Sequence, residues 1–396
     1  MVRTPIGTDM SFNLDFWKLL AGLGIFLFGM FMIEESVKAL SGRAFRRIIR
    51  KYTNGRLRAI GSGALVTALL QSSSAVSLMV LAFVGAGVMN MQSAVGVIMG
   101  SNIGTTLTAW IIATIGFKIK IESLALPFIG LGAVGLIFFK PSSKPFQVTK
   151  LLIGFGFLFL GLDFMKGSVE SFAQTINLGQ FPDFGLWFYL LAGTLVTALM
   201  QASAATIAIV LTALNSGLIT FEIGAVMVIG ANIGTTITVL LGAIGGVQAK
   251  KRVSLSHLIF NVVTGAAAFL GLPALVWIIS FFVDIRSSSL MGLALFHTIF
   301  NVLGVVTFFP FLGLLSRLLV RIYPDYKTIL TVYLDQTPSE ITDAATAALR
   351  KEIGHLLQEC QLYNLRLLRI DEKLVFDVDL PFENNRKKKI NDQLRL

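Results

Sequence analysis

Apolar stretches of about one membrane span alternate along this chain with short charged segments. The first runs from Phe16 to Val37. The next reaches Asn90, which is too long for one relaxed span of roughly 20 residues, and it is interrupted by the polar run Gln71, Ser72, Ser73, Ser74. That pattern predicts a re-entrant hairpin with its polar tip at membrane depth. Gln92 to Gly116 is long enough to cross, but Gly100, Ser101, Asn102, Ile103, Gly104, Thr105 and Thr106 place two glycines and several backbone-competing side chains at its centre. This predicts a broken transmembrane helix, tolerable only where protein or a water-filled cavity meets the exposed backbone. A further span is expected from Ile121 to Phe139, then two more from Val253 to Ser280 and from Ser289 to Leu315.

The polar interruptions recur. Gly63 to Gly116 aligns with Gly193 to Gly246 without a gap, at a constant offset of 130, and 21 of the 54 positions are identical. The second copy carries Gln201, Ala202, Ser203, Ala204 at its tip and repeats Asn-Ile-Gly-Thr-Thr at Asn232 to Thr236. The leading spans match as well, with Gly22, Gly24 and Gly29 against Gly154, Gly156 and Gly161. A doubled polar cluster inside apolar sequence points to a transporter binding site. Its bland alternative is a set of small-residue packing devices, which accounts for glycines and serines but not for the paired Gln and Asn-Ile-Gly-Thr-Thr.

Charge orients the spans. Lys38, Arg43, Arg46, Arg47, Arg50, Lys51, Arg56 and Arg58 follow the first span, so this linker is expected to be cytoplasmic and the N-terminus outside. The equivalent linker, Gly167 to Phe188, holds no Arg and is expected on the opposite face. The fold class predicted is thus an all-α polytopic membrane protein of two inverted-topology repeats, each with a re-entrant hairpin and a broken helix, and a short cytoplasmic helical tail. The boundaries read 16–140, 150–315 and 338–396. In the tail, Ile341, Ala344, Ala345, Ala348, Ile353, Leu356, Leu357, Cys360, Tyr363 and Leu367 recur at helical spacing, which predicts a soluble amphipathic helix. It is followed by the polybasic run Arg386 to Lys389.

Composition narrows the classes. Of 396 residues, 55% are hydrophobic and 14% charged, with a mean hydropathy of +0.77, too apolar for a soluble protein. The net charge of +11 sits in loops and tail, where it reports orientation and lipid contact rather than nucleic-acid binding. The N-terminus lacks a cleavable signal pattern, so the first span is expected to stay in the mature protein. Cys360 is the one cysteine and has no partner for an intrachain disulfide.

The chemistry permitted by the doubled cluster is ion binding. Free helix N-termini at the tips favour an anion, and the neutral oxygens of Asn102, Thr105, Thr106, Asn232, Thr235 and Thr236 suit a cation. No Lys or Arg lies within the two copies and Glu222 is their one carboxylate, so charge compensation is expected from bound cations, and sodium fits better than a proton. The absence of a Cys, His or carboxylate pair in the copies argues against an enzyme and a resident cofactor. His257 with Asn261 and His297 with Asn301 lie four apart on one helix face each and read equally as helix–helix glue.

The two QSSS-type tips followed by G-x-N-I-G-T-T, with H-x-x-F-N downstream, resemble the type II sodium-phosphate cotransporter family, specifically a bacterial member. The resemblance covers Phe16 to Leu315, and the tail from Pro338 is similar to the first part of a PhoU-like helical domain. It implies sodium-coupled uptake of inorganic phosphate across the cytoplasmic membrane. Phosphate would sit at Gln71, Ser72, Ser73, Ser74, Gln201 and Ser203, with sodium near the tips and at the Asn and Thr positions above. Ala202 and Ala204 depart from the family pattern by two hydroxyls. Transport of another oxyanion, phosphate export, and a phosphate sensor acting through the tail stay open, as does a homo-oligomer.

Overall fold

The computed structural model describes residues 6–51, 55–117, 121–175, 184–324, 332–334, 337–338, 341–368 and 370. Every regular element among them is helical. In order these are α1 (Ile6–Lys51), α2 (Arg56–Leu70), α3 (Ser73–Gly85), α4 (Met91–Ile111) with a π-helical end (Ile112–Gly116), α5 (Ile121–Phe138) and α6 (Lys144–Thr175). Then follow α7 (Gly185–Met200), α8 (Ser203–Asn215), α9 (Phe221–Gly242), α10 (Gln248–Leu270), α11 (Leu272–Ser280), α12 (Ser289–Phe308), α13 (Leu312–Ile322) and α14 (Thr342–Leu367). Among the described residues, six stretches are long and apolar enough to cross a membrane: Phe16–Gly42, Met91–Gly116, Lys144–Ser171, Phe221–Gly242, Gln248–Leu270 and Ser289–Ile322. The chain is therefore a multi-pass membrane protein. Between them lie the short apolar pairs α2/α3 and α7/α8, each a helical hairpin turning at Gln71–Ser72 or Gln201–Ala202.

Several sequence expectations need correction. The Asn-Ile-Gly-Thr-Thr segments are not breaks: α4 and α9 run unbroken through Gly100–Thr106 and Gly230–Thr236. Their threonine hydroxyls turn back onto their own helices, Thr105 onto Ser101 O (2.9 Å) and Thr106 onto Ile103 O (2.8 Å), and Thr235 and Thr236 do likewise. The side chains thus satisfy themselves without unwinding the backbone. The actual interruption is Gly271, which splits the expected Val253–Ser280 span into α10 and α11. The basic segment after the first span is helical as far as Lys51 rather than a loop, and α6 extends to Thr175 into the expected second linker. Helix α5, with Pro127 inside it, falls among the shorter apolar helices. The polybasic run Arg386–Lys389 lies outside the described residues.

Glycines that looked like helix breakers are contact points. A methyl added at Gly100 would collide with the carbonyl of Ile60, and one at Gly63 with that of Val97, so α2 lies backbone to backbone against α4. The second copy repeats this crossing, Gly230 on Leu190 and Gly193 on Met227, between α7 and α9. Helices α1 and α6 meet in the same way. An added Cβ at Gly22 would lie 2.9 Å from Gly161 O, and one at Gly29 2.7 Å from Gly154 O. Ascending numbers on α1 meet descending numbers on α6, so the two leading helices pack antiparallel.

Outside this bundle, α14 packs Ala344 and Ala348 into the cluster formed by Phe45, Ile49, Phe83 and Met89. Lys351 Nζ donates to the carbonyl of Gly87, in the turn between α3 and α4. Glu352 is buried and accepts the backbone N–H groups of Val332 (2.9 Å), Tyr333 (2.6 Å) and Leu334 (2.9 Å).

Two expected outcomes follow from this packing. Gly100→Ala should destabilise the protein by about 3 kcal/mol, because a backbone carbonyl cannot move aside. Gly24→Ala, which meets nothing within 4 Å, should change stability by less than about 0.5 kcal/mol. Thermal unfolding of both in detergent compares them, and equal midpoints would contradict the close crossing. The Glu352 carboxyl is raised by desolvation, but its three backbone donors, with His355 nearby, outweigh that and hold it below the ordinary carboxylate range. Because the folded-state value is the lower one, its contribution is fully present above the ordinary value and fades as pH falls through the depressed one. Glu352→Gln at neutral pH should therefore speed hydrogen exchange at residues 332–334, and unchanged exchange there would remove the carboxylate from this role.

Candidate functional site

The chain turns sharply at each tip. Gln71 (φ 54°) and Gln201 (φ 52°) are the non-glycine residues with positive φ among the described residues. Left-handed backbone at such residues costs roughly 1–3 kcal/mol each and gathers at functional sites. Both close the last turn of the preceding helix, donating their N–H to Thr67 O and Thr197 O at 2.7 Å. Each strained glutamine thereby aims the next helix, α3 or α8, with its N-terminus at the tip. Both helices have 13 residues and carry the usual unpaired N–H groups and positive dipole end.

The two tips meet. One cavity of about 280 Å³ is lined by Gln71, Ser72, Ser73, Ser74, Gln201 and Ser203, together with Ala202, Ala204 and Thr105. All six residues expected at an anion site thus face one space, although 130 positions separate the copies. Ser73 and Ser203 are nearly buried, at 7% and 6% exposure. The missing hydroxyls have a specific consequence: Ser72 caps α3 by accepting the N–H of Ala75 (3.2 Å), whereas Ala202 provides no side-chain cap for α8. One absent hydroxyl is therefore a helix cap, and in its place the N–H of Ala205 donates to the carbonyl of Ala202 (3.2 Å).

The expected cation ligands are divided. Thr105 lines the cavity; Asn102, Thr106, Asn232, Thr235 and Thr236 do not. Asn102 donates through Nδ2 to Asn261 Oδ1, and Asn232 to Asn301 Oδ1, both at 2.7 Å. The H-x-I-F-N elements are in this respect helix–helix glue: α10 grips α4 and α12 grips α9. Asn261 and Asn301 in turn donate to the carbonyls of His257 (3.0 Å) and His297 (2.8 Å). Trp110 Nε1 adds a bond from α4 to Thr298 on α12 (2.9 Å).

Sequence reasoning missed two residues here. Glu34 and Lys38, one turn apart on α1, line the same cavity and form an ion pair with each other. Neighbouring Glu35 pairs with Lys150 on α6. The available signal was two carboxylates inside the first apolar span with a lysine four residues after the first, since ionisable groups at such depth are costly and mark ion pathways.

Comparison with known proteins gives the chain a family. The family model described as Na+/Pi-cotransporter matches residues 25–167 and 186–305. The uncharacterized protein YqeW of Bacillus subtilis (strain 168) is 30% identical over 303 residues, 76% of this chain and 95% of that protein. YjbB of Escherichia coli (strain K12), named for a proposed role as an inorganic phosphate export protein, is 26% identical over 364 residues. That match covers 86% of this chain, which spans 63% of YjbB. Sodium-dependent phosphate transport protein 2A of Oryctolagus cuniculus is 47% identical over 51 residues, 13% of this chain and 8% of its own length. No solved structure matches the chain. The chain belongs to the Na+/Pi-cotransporter family, whose members are transporters and not enzymes.

Proposed function

We propose that this protein carries inorganic phosphate across the cytoplasmic membrane by alternating access, coupled to sodium, with the oxyanion held between the two tips. The observation that carries the reading is the shared cavity, where two helix N-termini and the hydroxyls of both copies converge. An oxyanion there would accept N–H groups from the first turns of α3 and α8 and hydroxyl hydrogens from Ser72, Ser73, Ser74 and Ser203. The carboxamides of Gln71 and Gln201 complete the tips. Lys38 supplies a cation that the copies themselves lack, and Glu34 holds it in place when the site is empty.

Sodium is assigned to the neutral oxygens beside this cavity. A hydroxyl that donates to its own helix keeps lone pairs for a cation, which leaves Thr105, Thr106, Thr235 and Thr236 competent. No described residue donates to Asn102 Oδ1, whereas Asn232 Oδ1 is engaged by His297 Nε2 at 3.2 Å. The antiparallel packing of α1 on α6 supports inverted repeats, and with them a site at their interface. By the positive-inside rule the N-terminus lies outside and α14 is cytoplasmic, and its likeness to the start of a PhoU-like domain is kept as part of this proposal. The name of YjbB favours a second reading, phosphate efflux through the same site.

Labelled phosphate flux in proteoliposomes tests these assignments. Ser73→Ala, Gln71→Ala and Ser203→Ala should each raise the KM for phosphate about tenfold, the scale of losing a charge-assisted hydrogen bond. Lys38→Met should raise it by a similar factor of about ten; unchanged KM in all four variants would take the cavity out of the substrate path.

Flux should also require sodium and persist when the proton gradient is collapsed. Thr105→Val should weaken sodium activation more than phosphate affinity at saturating sodium, while phosphate affinity at low sodium falls through reciprocal linkage. Full flux in sodium-free buffer driven by protons would defeat the coupling assignment. Imposing the sodium gradient in either direction separates uptake from efflux.

A further inference from the structure

The two copies correspond residue for residue, yet they close different buried hydrogen bonds. In the first, Thr108 Oγ1 donates to Gln71 Oε1 at 2.9 Å, tying the tip to α4. The corresponding hydroxyl in the second, Thr238 Oγ1, is buried with no partner among the described residues. Its counterpart glutamine, Gln201, is exposed. At the other end of the motif the asymmetry is reversed. His297 Nε2 lies 3.2 Å from Asn232 Oδ1, and since that oxygen only accepts, Nε2 carries the proton. His257, 1% exposed, has no partner at either ring nitrogen, and no described residue donates to the equivalent Asn102 Oδ1.

The scaffold behind these groups is the same in both copies, with an Asn–Asn bridge of 2.7 Å in each. The second copy also pairs Thr197 with Thr206 (2.6 Å), where Val76 leaves Thr67 without a partner among the described residues, a difference of residue type. Where the residue types match, the difference takes the form of two kinds of latch. One joins a tip Gln to a Thr on the following helix, and the other joins the motif Asn to a His. A buried hydroxyl or imidazole left unpaired bears its full desolvation cost, and such orphans are rare enough in native structures to need an explanation. A second conformation in which each finds its partner provides one.

We infer that Thr108 and Thr238 are positioning residues that hold the tip glutamines in alternation, with His297 and His257 as the opposing latches. This rests on the proposal that the copies are inverted halves of an alternating-access transporter, in which the opposite-facing state gives each half the conformation of the other. In that state Gln201–Thr238 and His257–Asn102 are closed, and Gln71–Thr108 and His297–Asn232 are open. Each half always has one latch closed, so the polar groups stay satisfied in turn rather than all at once. Closing His257 onto Asn102 also occupies the Oδ1 lone pair offered to sodium, which makes the cation site on the first half available in one facing state only.

Accessibility measurements test the exchange. A reporter cysteine, Leu78→Cys, placed on the cavity wall in a Cys360→Ser background, is labelled by an impermeant maleimide from either face of oriented proteoliposomes. Thr108→Val and His297→Leu should shift the ratio of labelling from the two faces one way, and Thr238→Val and His257→Leu the other way. Each shift should be about three- to tenfold, the loss of one hydrogen bond from one state. The pairing crosses the two copies, an outcome that simple local damage does not produce. Thr108→Ser and Thr238→Ser, which keep the hydroxyl, should restore the parental ratio. Variants that sort by copy, ratios that stay fixed while phosphate still protects the reporter, or failure of the serine rescue would each overturn the exchange and leave the substrate site standing. If phosphate gives the reporter no protection in the parental background, the substrate site falls and this inference with it.

Discussion

A polar atom inside an apolar helical bundle has no bulk water to bond, so it must find its partner within the protein. Most of the central polar groups obey this locally or pairwise. Threonines of the Asn-Ile-Gly-Thr-Thr segments bond their own helix carbonyls, and the asparagines bridge to α10 and α12. These bonds keep α4 and α9 intact through a sequence that looks like a break. Other polar groups open onto the one cavity that the first turns of α3 and α8 share.

Close backbone approach makes that convergence geometrically available. Wherever a glycine of one helix rests on a carbonyl of its neighbour, the axes come nearer than any larger residue would allow, and van der Waals packing replaces the hydrophobic driving force that lipid does not supply. The α2/α4 and α7/α9 crossings hold each hairpin against its own motif helix. Helix α1, packed against α6, brings Glu34 and Lys38 into the tip cavity. A charged pair is thereby added to a site otherwise built from dipoles and hydroxyls.

Helix α14 connects a different part of the chain to the same machinery. Lys351 and the buried Ala344 and Ala348 seat it near the turn that follows α3, and Glu352 organises residues 332–334 against it. Helix α3 begins at the first tip, so the tail rests on the far end of an element that lines the tip cavity. The contact is polar and charge-assisted at its edge and apolar at its centre.

The sequence by itself determined the class, the gapless repeat, the two tips with their six polar residues, and the amphipathic tail helix. Each of these is written in hydropathy, spacing or residue identity, properties that do not depend on what lies across the bundle. It also marked Asn102 and Asn232 as special, but their partners Asn261 and Asn301 lie 159 and 69 positions away, and no local pattern couples them. Glycine was misread as a breaker because propensity sees only its backbone freedom; the carbonyl of Ile60 pressing on Gly100 is a tertiary fact. Lys38 read as part of a basic loop until the continuation of α1 turned it toward the cavity. Only the tertiary structure decided that the tips share one space, because the separation of two segments is fixed by helix crossings between distant residues and not by the segments themselves.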